Sequence, residues 1–99
     1  ARVRERVAAA RRAAEHRWRP YGIRTNAEIS GALLRREFRL GKQVMDSLTR
    51  ALDRGLLSIR GFDRCLRVAW TLADLNGRAS PDRDDVSTAL TFRQSGGIR

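Results

Sequence analysis

Apolar residues recur along most of the chain with helical period, and no stretch alternates as a half-buried strand would. Val3, Val7, Ala10, Ala14 and Trp18 share one stripe and predict a first amphipathic helix of about four to five turns. It should end before Arg19-Pro20-Tyr21-Gly22, because proline disfavours helical backbone in the residue before it and glycine punctuates. Thr25 and Glu28 have the spacing of a capping box and predict a turn or two of helix, soon interrupted by Ser30-Gly31. A short helix around Leu33–Phe38 should follow, closed by Gly41. Val44, Leu48, Ala51 and Leu52 then form a stripe that runs to a C-terminal cap at Gly55.

The most regular element opens at Ser58, a good N-cap. Phe62, Leu66, Ala69 and Ala73 define its buried face, flanked by Ile59, Val68, Leu72 and Leu75, and Asn76-Gly77 stops it. Ser80-Pro81 reads as an N-cap with proline at the first helical position. Asp82, Asp84 and Asp85 would complement the dipole of that last helix, whose apolar side is Val86, Ala89, Leu90 and Phe92. The expected architecture is all-α: a small bundle of four main helices plus a short one over residues 1–94, with a flexible tail over 95–99.

Composition agrees with one folded domain, since 41% of the residues are apolar. No run approaches the roughly 20 apolar residues of a membrane span. The charged start, Ala1-Arg2-Val3-Arg4, has no apolar core of a secretory signal. A single cysteine, Cys65, cannot close an internal disulfide, which suits a reducing cytoplasm. Ala1 falls inside a helical pattern without an initiator methionine, so the expectation is a fragment of a larger protein.

The net charge of +10 adds a second expectation. Such a field favours polyanions, whether nucleic acid, nucleotide phosphates or an acidic protein face. Ala1 to Arg24 is the most basic part, with eight Arg and two Glu, and Arg4, Arg11 and Arg12 lie off its apolar stripe as candidate nucleic-acid contacts. Sequence-specific DNA reading is disfavoured, because no recognised DNA-reading motif occurs.

An independent enzyme is hard to assemble from these residues. His16 is the only histidine and has no cluster at metal-ligand spacing, so it reads as a solvated helix residue. Cys65 lies mid-helix in apolar sequence, as a buried inert thiol would. No phosphate-binding G-x-x-x-x-G-K-[ST] loop is present, so the chain alone should show no ATP-dependent activity. The feature that stands out is Arg60, Arg64 and Arg67, at i, i+4 and i+7 on one helix. Arg60 follows the Ser58 cap within the first turn, where free backbone N–H groups favour anions. Spacing alone weighs a solvated basic face above a phosphate site.

Ser58-Ile59-Arg60, followed by Arg64, Leu66 and Arg67, resembles the sensor 2 segment of AAA+ lid domains. The stretch from Gly55-Leu56-Leu57-Ser58-Ile59-Arg60 to Ala73-Asp74-Leu75 is similar to the C-terminal segment of magnesium-chelatase-related (ComM/YifB) ATPases. Arg2 to Arg11 looks like that family's first lid helix, Thr25-Asn26-Ala27-Glu28 like the segment after it, and Asp85 to Arg93 like its closing helix. Trp70 departs from the pattern, standing where arginine is expected in many relatives.

The resemblance implies a lid that follows an ATP-binding core, in rings that are usually hexameric, with ATP and Mg2+ bound by the full-length protein. Arg60 would be the nucleotide-sensing residue, acting on its own or a neighbouring subunit's nucleotide, with Arg64 and Arg67 as weaker phosphate or intersubunit contacts. The parent would be a DNA-processing motor of branch migration and recombination. The alternatives are an ATPase subunit that inserts magnesium into a porphyrin, or a free-standing basic helical DNA-binding module.

Overall fold

The helix expected to be most regular becomes the axis on which the others pack. The computed structural model describes residues 2–94 and contains five α-helices: α1 (Arg2–Trp18), α2 (Gly31–Arg36), α3 (Lys42–Asp53), α4 (Ile59–Leu75) and α5 (Arg83–Gln94). One 3-10 turn, Arg19–Tyr21, continues α1. The expected tail, 95–99, lies outside the described residues. Among the described residues there is no strand, and no helix is long and apolar enough to cross a membrane.

α4 packs against each of the other four helices, and α3 also packs on α5. Its Phe62, Cys65, Leu66, Ala69, Trp70 and Ala73 are buried, so α4 is apolar over more than the single face its spacing predicts. Trp18, Ile29, Leu34, Leu48 and Val86 meet it in one continuous core. Trp18 stands edge-on to both Phe38 and Trp70, with ring centroids 4.6 and 5.7 Å away, so three aromatic rings tie α1, the end of α2 and α4 together.

The element ends follow local chemistry. The Ser58 side chain accepts from the Gly61 N–H at 3.1 Å and caps α4 as expected. Gly55, at φ 73°, takes the left-handed position after α3, and the Leu56 N–H returns to the Ala51 carbonyl at 2.9 Å. Val3 and Ile59, read as apolar-face residues, are 72% and 49% exposed, although Gly61 and Phe62 in the same first turn of α4 are buried.

Three expectations are corrected. Thr25–Glu28 forms a turn and no helix: Thr25 Oγ1 donates to Glu28 Oε1, and the Glu28 N–H donates to the Thr25 carbonyl. Tertiary bonds override the local signal here, since the Asn26 side chain is drawn into the interior and the Ile29 carbonyl accepts from Arg67 Nε. The short helix begins two residues earlier than expected, at Gly31, because Ser30 is its N-cap and accepts from the Leu33 N–H. α5 begins at Arg83 with Asp82 as the cap, in place of Ser80. The Asp85 N–H donates to Asp82 Oδ1 at 2.9 Å, and the Asp82 N–H donates to Asp85 Oδ2 at 3.0 Å. This reciprocal pair satisfies the backbone donors of both Asp82 and Asp85.

The hydrogen bond from the Asp85 N–H holds the Asp82 carboxyl below its ordinary value of 3.8. A depressed folded pKa contributes stability above the unfolded value and loses it as pH falls through the folded one. Asp82→Asn keeps a capping oxygen but cannot titrate. Thermal melts between pH 6 and pH 2.5 should show a shallower acid-side decline for the variant than for the unaltered chain. Superimposable pH profiles would show that the cap does not contribute to acid sensitivity.

Candidate functional site

Arg60 occupies the first turn of α4, two residues after the Ser58 cap. Its side chain is exposed and has no hydrogen bond or ion pair among the described residues. The cap fixes the backbone below it, so an exposed guanidinium sits on a rigid helix start with a positive partial charge behind it.

The three arginines of the α4 stripe do not share one surroundings. Arg64 is half-buried and unpaired among the described residues. Arg67 is half-buried, and its Nε donates to the Ile29 carbonyl at 2.9 Å, which fastens the 25–30 segment to α4. Arg67 therefore has a structural contact that spacing could not reveal.

A fourth arginine reaches the same end of α4. Arg93, from the last turn of α5, places its Nε against Gly61, 3.4 Å from where a Cβ would stand. That nitrogen is buried and has no hydrogen-bond partner among the described residues. No motif or spacing signals this approach, because it depends on how α5 crosses α4. The Arg93 charge also acts on Cys65, but burial dominates and pushes the thiol above its ordinary value. Cys65 is fully buried, as its apolar surroundings in the sequence suggest.

Arg4, Arg11 and Arg12 are exposed on α1. That helix crosses the other end of α4: Arg6 donates to the Leu75 carbonyl at 3.1 and 3.2 Å, and Arg17 pairs with Asp74. Arg60 and Asp74 are about 21 Å apart along the helix axis, at 1.5 Å per residue. The structure thus separates the basic face of α1 from Arg60.

At that second end lies a polar cluster that neither periodicity nor motif announces. Arg17 donates to both Asp74 oxygens at 2.8 and 2.7 Å, and to Asn26 Oδ1 at 3.0 Å. Trp18 Nε1 donates to Asn26 Oδ1 at 2.8 Å, and Asn26 Nδ2 reaches Thr71 and Asp74, each at 3.0 Å. The Arg17 guanidinium also lies 4.7 Å from the ring centre of Trp18 and 4.5 Å from that of Trp70. Trp70 therefore packs on a cation. The one signal that could have found the cluster is an aspartate at a buried helical position, between Ala73 and Leu75.

His16 is exposed, and among the described residues no group of three His, Cys, Asp or Glu could hold a metal ion.

Residues 1–93 match the family described as magnesium chelatase, subunit ChlI C-terminal. Uncharacterized proteins of Mycobacterium bovis and of two strains of Mycobacterium tuberculosis are 66% identical over 97 residues, covering 98% of this chain and 19% of each relative. The chain thus spans about a fifth of the length of these relatives. No solved structure matches it.

Proposed function

The chain belongs to the magnesium chelatase subunit ChlI C-terminal family, and on that premise we propose that this AAA+ lid-like domain senses bound ATP through Arg60. The observation that carries the reading is an exposed, unpaired guanidinium in the first turn of a capped helix. Holding it there costs nothing in broken internal pairs, and a terminal phosphate would meet charge-assisted hydrogen bonds in a positive field. The chain carries no phosphate-cradling loop, so ATP and Mg2+ would be held by an ATPase core in the full-length protein. Arg60 acts on the γ-phosphate of its own or a neighbouring subunit in a ring, usually hexameric. Loss of that phosphate on hydrolysis releases the arginine and shifts the angle preferred by the lid. Arg64, unpaired beside it, serves as a secondary phosphate or intersubunit contact.

For the full-length protein we favour an ATP-driven DNA-processing motor of the ComM/YifB kind, working in the cytoplasm. The exposed Arg4, Arg11 and Arg12 on α1 support this reading, because they leave a polyanion-attracting face at the end of α4 away from Arg60. The family's own description favours a second reading, an ATPase subunit of a metal chelatase. DNA-stimulated ATP hydrolysis distinguishes the first, and metal insertion into a porphyrin the second.

Arg60→Ala in the full-length protein tests the sensing role. Stability should stay within about 0.5 kcal/mol, as for exposed positions without partners. ATP turnover should fall about 100-fold, the scale of removing one charge-stabilising donor from a reaction centre. Turnover and DNA stimulation equal to those of the unaltered protein would remove Arg60 from the mechanism.

A further inference from the structure

A trough about 16 Å long runs beside α4 from Arg64 to Leu75, at 1.5 Å per residue. It consists of two adjoining hollows of about 530 and 540 Å3, which share Ala27 and Thr71. Val68, Leu72 and Leu75 stand at i, i+4 and i+7 along its floor, each only partly buried. Val7 borders the hollow at the Leu75 end and Phe92 the hollow at the Arg64 end. This is the spacing of a helix seam, left without a facing helix among the described residues. Arg11, Arg24 and Arg64 line the rim and have no hydrogen bond or ion pair among the described residues.

We propose that this trough docks an acidic amphipathic helix of about three turns from a partner protein, its apolar stripe on Val68, Leu72 and Leu75 and its carboxylates against Arg11, Arg24 and Arg64. The length matches, since three turns span about 16 Å. The charge matches too: Arg11, Arg24 and Arg64 outnumber Glu15, the one exposed acid of the lining, while Asp74 is already paired with Arg17. An apolar floor gives a phosphate backbone nothing to bind, so nucleic acid fits poorly here. A second copy of the chain would bring its own +10 charge to a basic rim. Helix-in-groove docking uses this division between apolar anchors and charged margins. The trough begins at Arg64, one turn after Arg60, and runs toward the opposite end of α4; the docking does not depend on Arg60 sensing a nucleotide.

The test is fluorescence anisotropy of the full chain with a labelled 14-residue peptide, leucine at i, i+4, i+7 and i+11 and glutamate on the flanks. A scrambled peptide of the same composition and a DNA duplex serve as competitors. Saturable binding is expected, at least tenfold tighter than for the scrambled peptide. The exposed-residue variant Arg24→Glu should weaken it about threefold to tenfold, whereas Arg36→Glu, outside the trough, should leave it within twofold. Leu72→Glu, verified as folded by circular dichroism, should weaken binding at least tenfold. Absence of saturable binding, equal affinity for the scrambled peptide, displacement by the duplex at equal concentration, or equal losses from Arg24→Glu and Arg36→Glu would each overturn the proposal.

Discussion

Asp74→Ala is expected to destabilise the chain by about 3–5 kcal/mol, the cost of removing one member of a buried ion pair. The Asp74 side chain is 1% exposed and that of Arg17 14%, so both groups are largely withdrawn from water. Deleting the carboxylate strands a guanidinium between two indole rings and removes one acceptor of Asn26 Nδ2. The loss exceeds that of a surface pair because desolvation of the remaining cation is no longer offset. Set against the 5–15 kcal/mol total of a typical small domain, it is a large fraction. Urea denaturation of both forms measures it directly. A companion variant separates the pair from its packing: Arg17→Met combined with Asp74→Leu should recover part of the loss, since apolar replacements of buried pairs are often tolerated. A single-variant loss below about 1 kcal/mol would show that the cluster contributes little.

That cluster also marks the boundary of what local sequence can disclose. Helix number, all-α class, the Ser58 cap and the buried face of α4 follow from periodicity and capping chemistry, which act over a few residues. Where an expectation fails, a tertiary partner has taken over a residue with a legible local role. Asn26 sits inside a capping-box spacing, yet its side chain bonds Trp18, Thr71 and Asp74, and the segment forms a turn. Ser80-Pro81 carries a good helix-start signal, yet Asp82 and Asp85 satisfy each other's backbone N–H groups and win the cap.

The candidate site divides along the same line. Arg60 can be singled out because its meaning lies in its own helix: a cap two residues before it and a spacing that puts it on the surface. Arg67 has the same spacing but a different use, as the tether of the Ile29 carbonyl, and helical spacing is blind to that difference. Arg93 cannot be placed from spacing at all, since its approach to Gly61 depends on the crossing of α4 and α5. Resemblance contributes the sensing role; the residues themselves contribute an anion-seeking surface.

Gly31→Ala tests the other contact that only three dimensions disclose. A Cβ at Gly31 would stand 1.9 Å from Asp63 Oδ2 and 2.2 Å from its Cγ, far inside van der Waals contact. Asp63 is 8% exposed and accepts from Arg35 Nε at 3.1 Å, so turning it away breaks that bond and moves a carboxylate within the interior. The remaining response is for α2 to lift from α4. Alanine would gain about 0.5–1 kcal/mol over glycine in helix propensity, but overpacking of this kind costs about 1–3 kcal/mol and the displaced carboxylate adds to it. A net loss of about 2–3 kcal/mol is expected on that balance. A double-mutant cycle identifies the cause, because in an Asp63→Ala background the added methyl has room. There Gly31→Ala should be neutral or mildly stabilising. An equal loss in both backgrounds would place the cost in the backbone of α2, and the close approach of Gly31 to Asp63 would no longer explain why a glycine starts that helix.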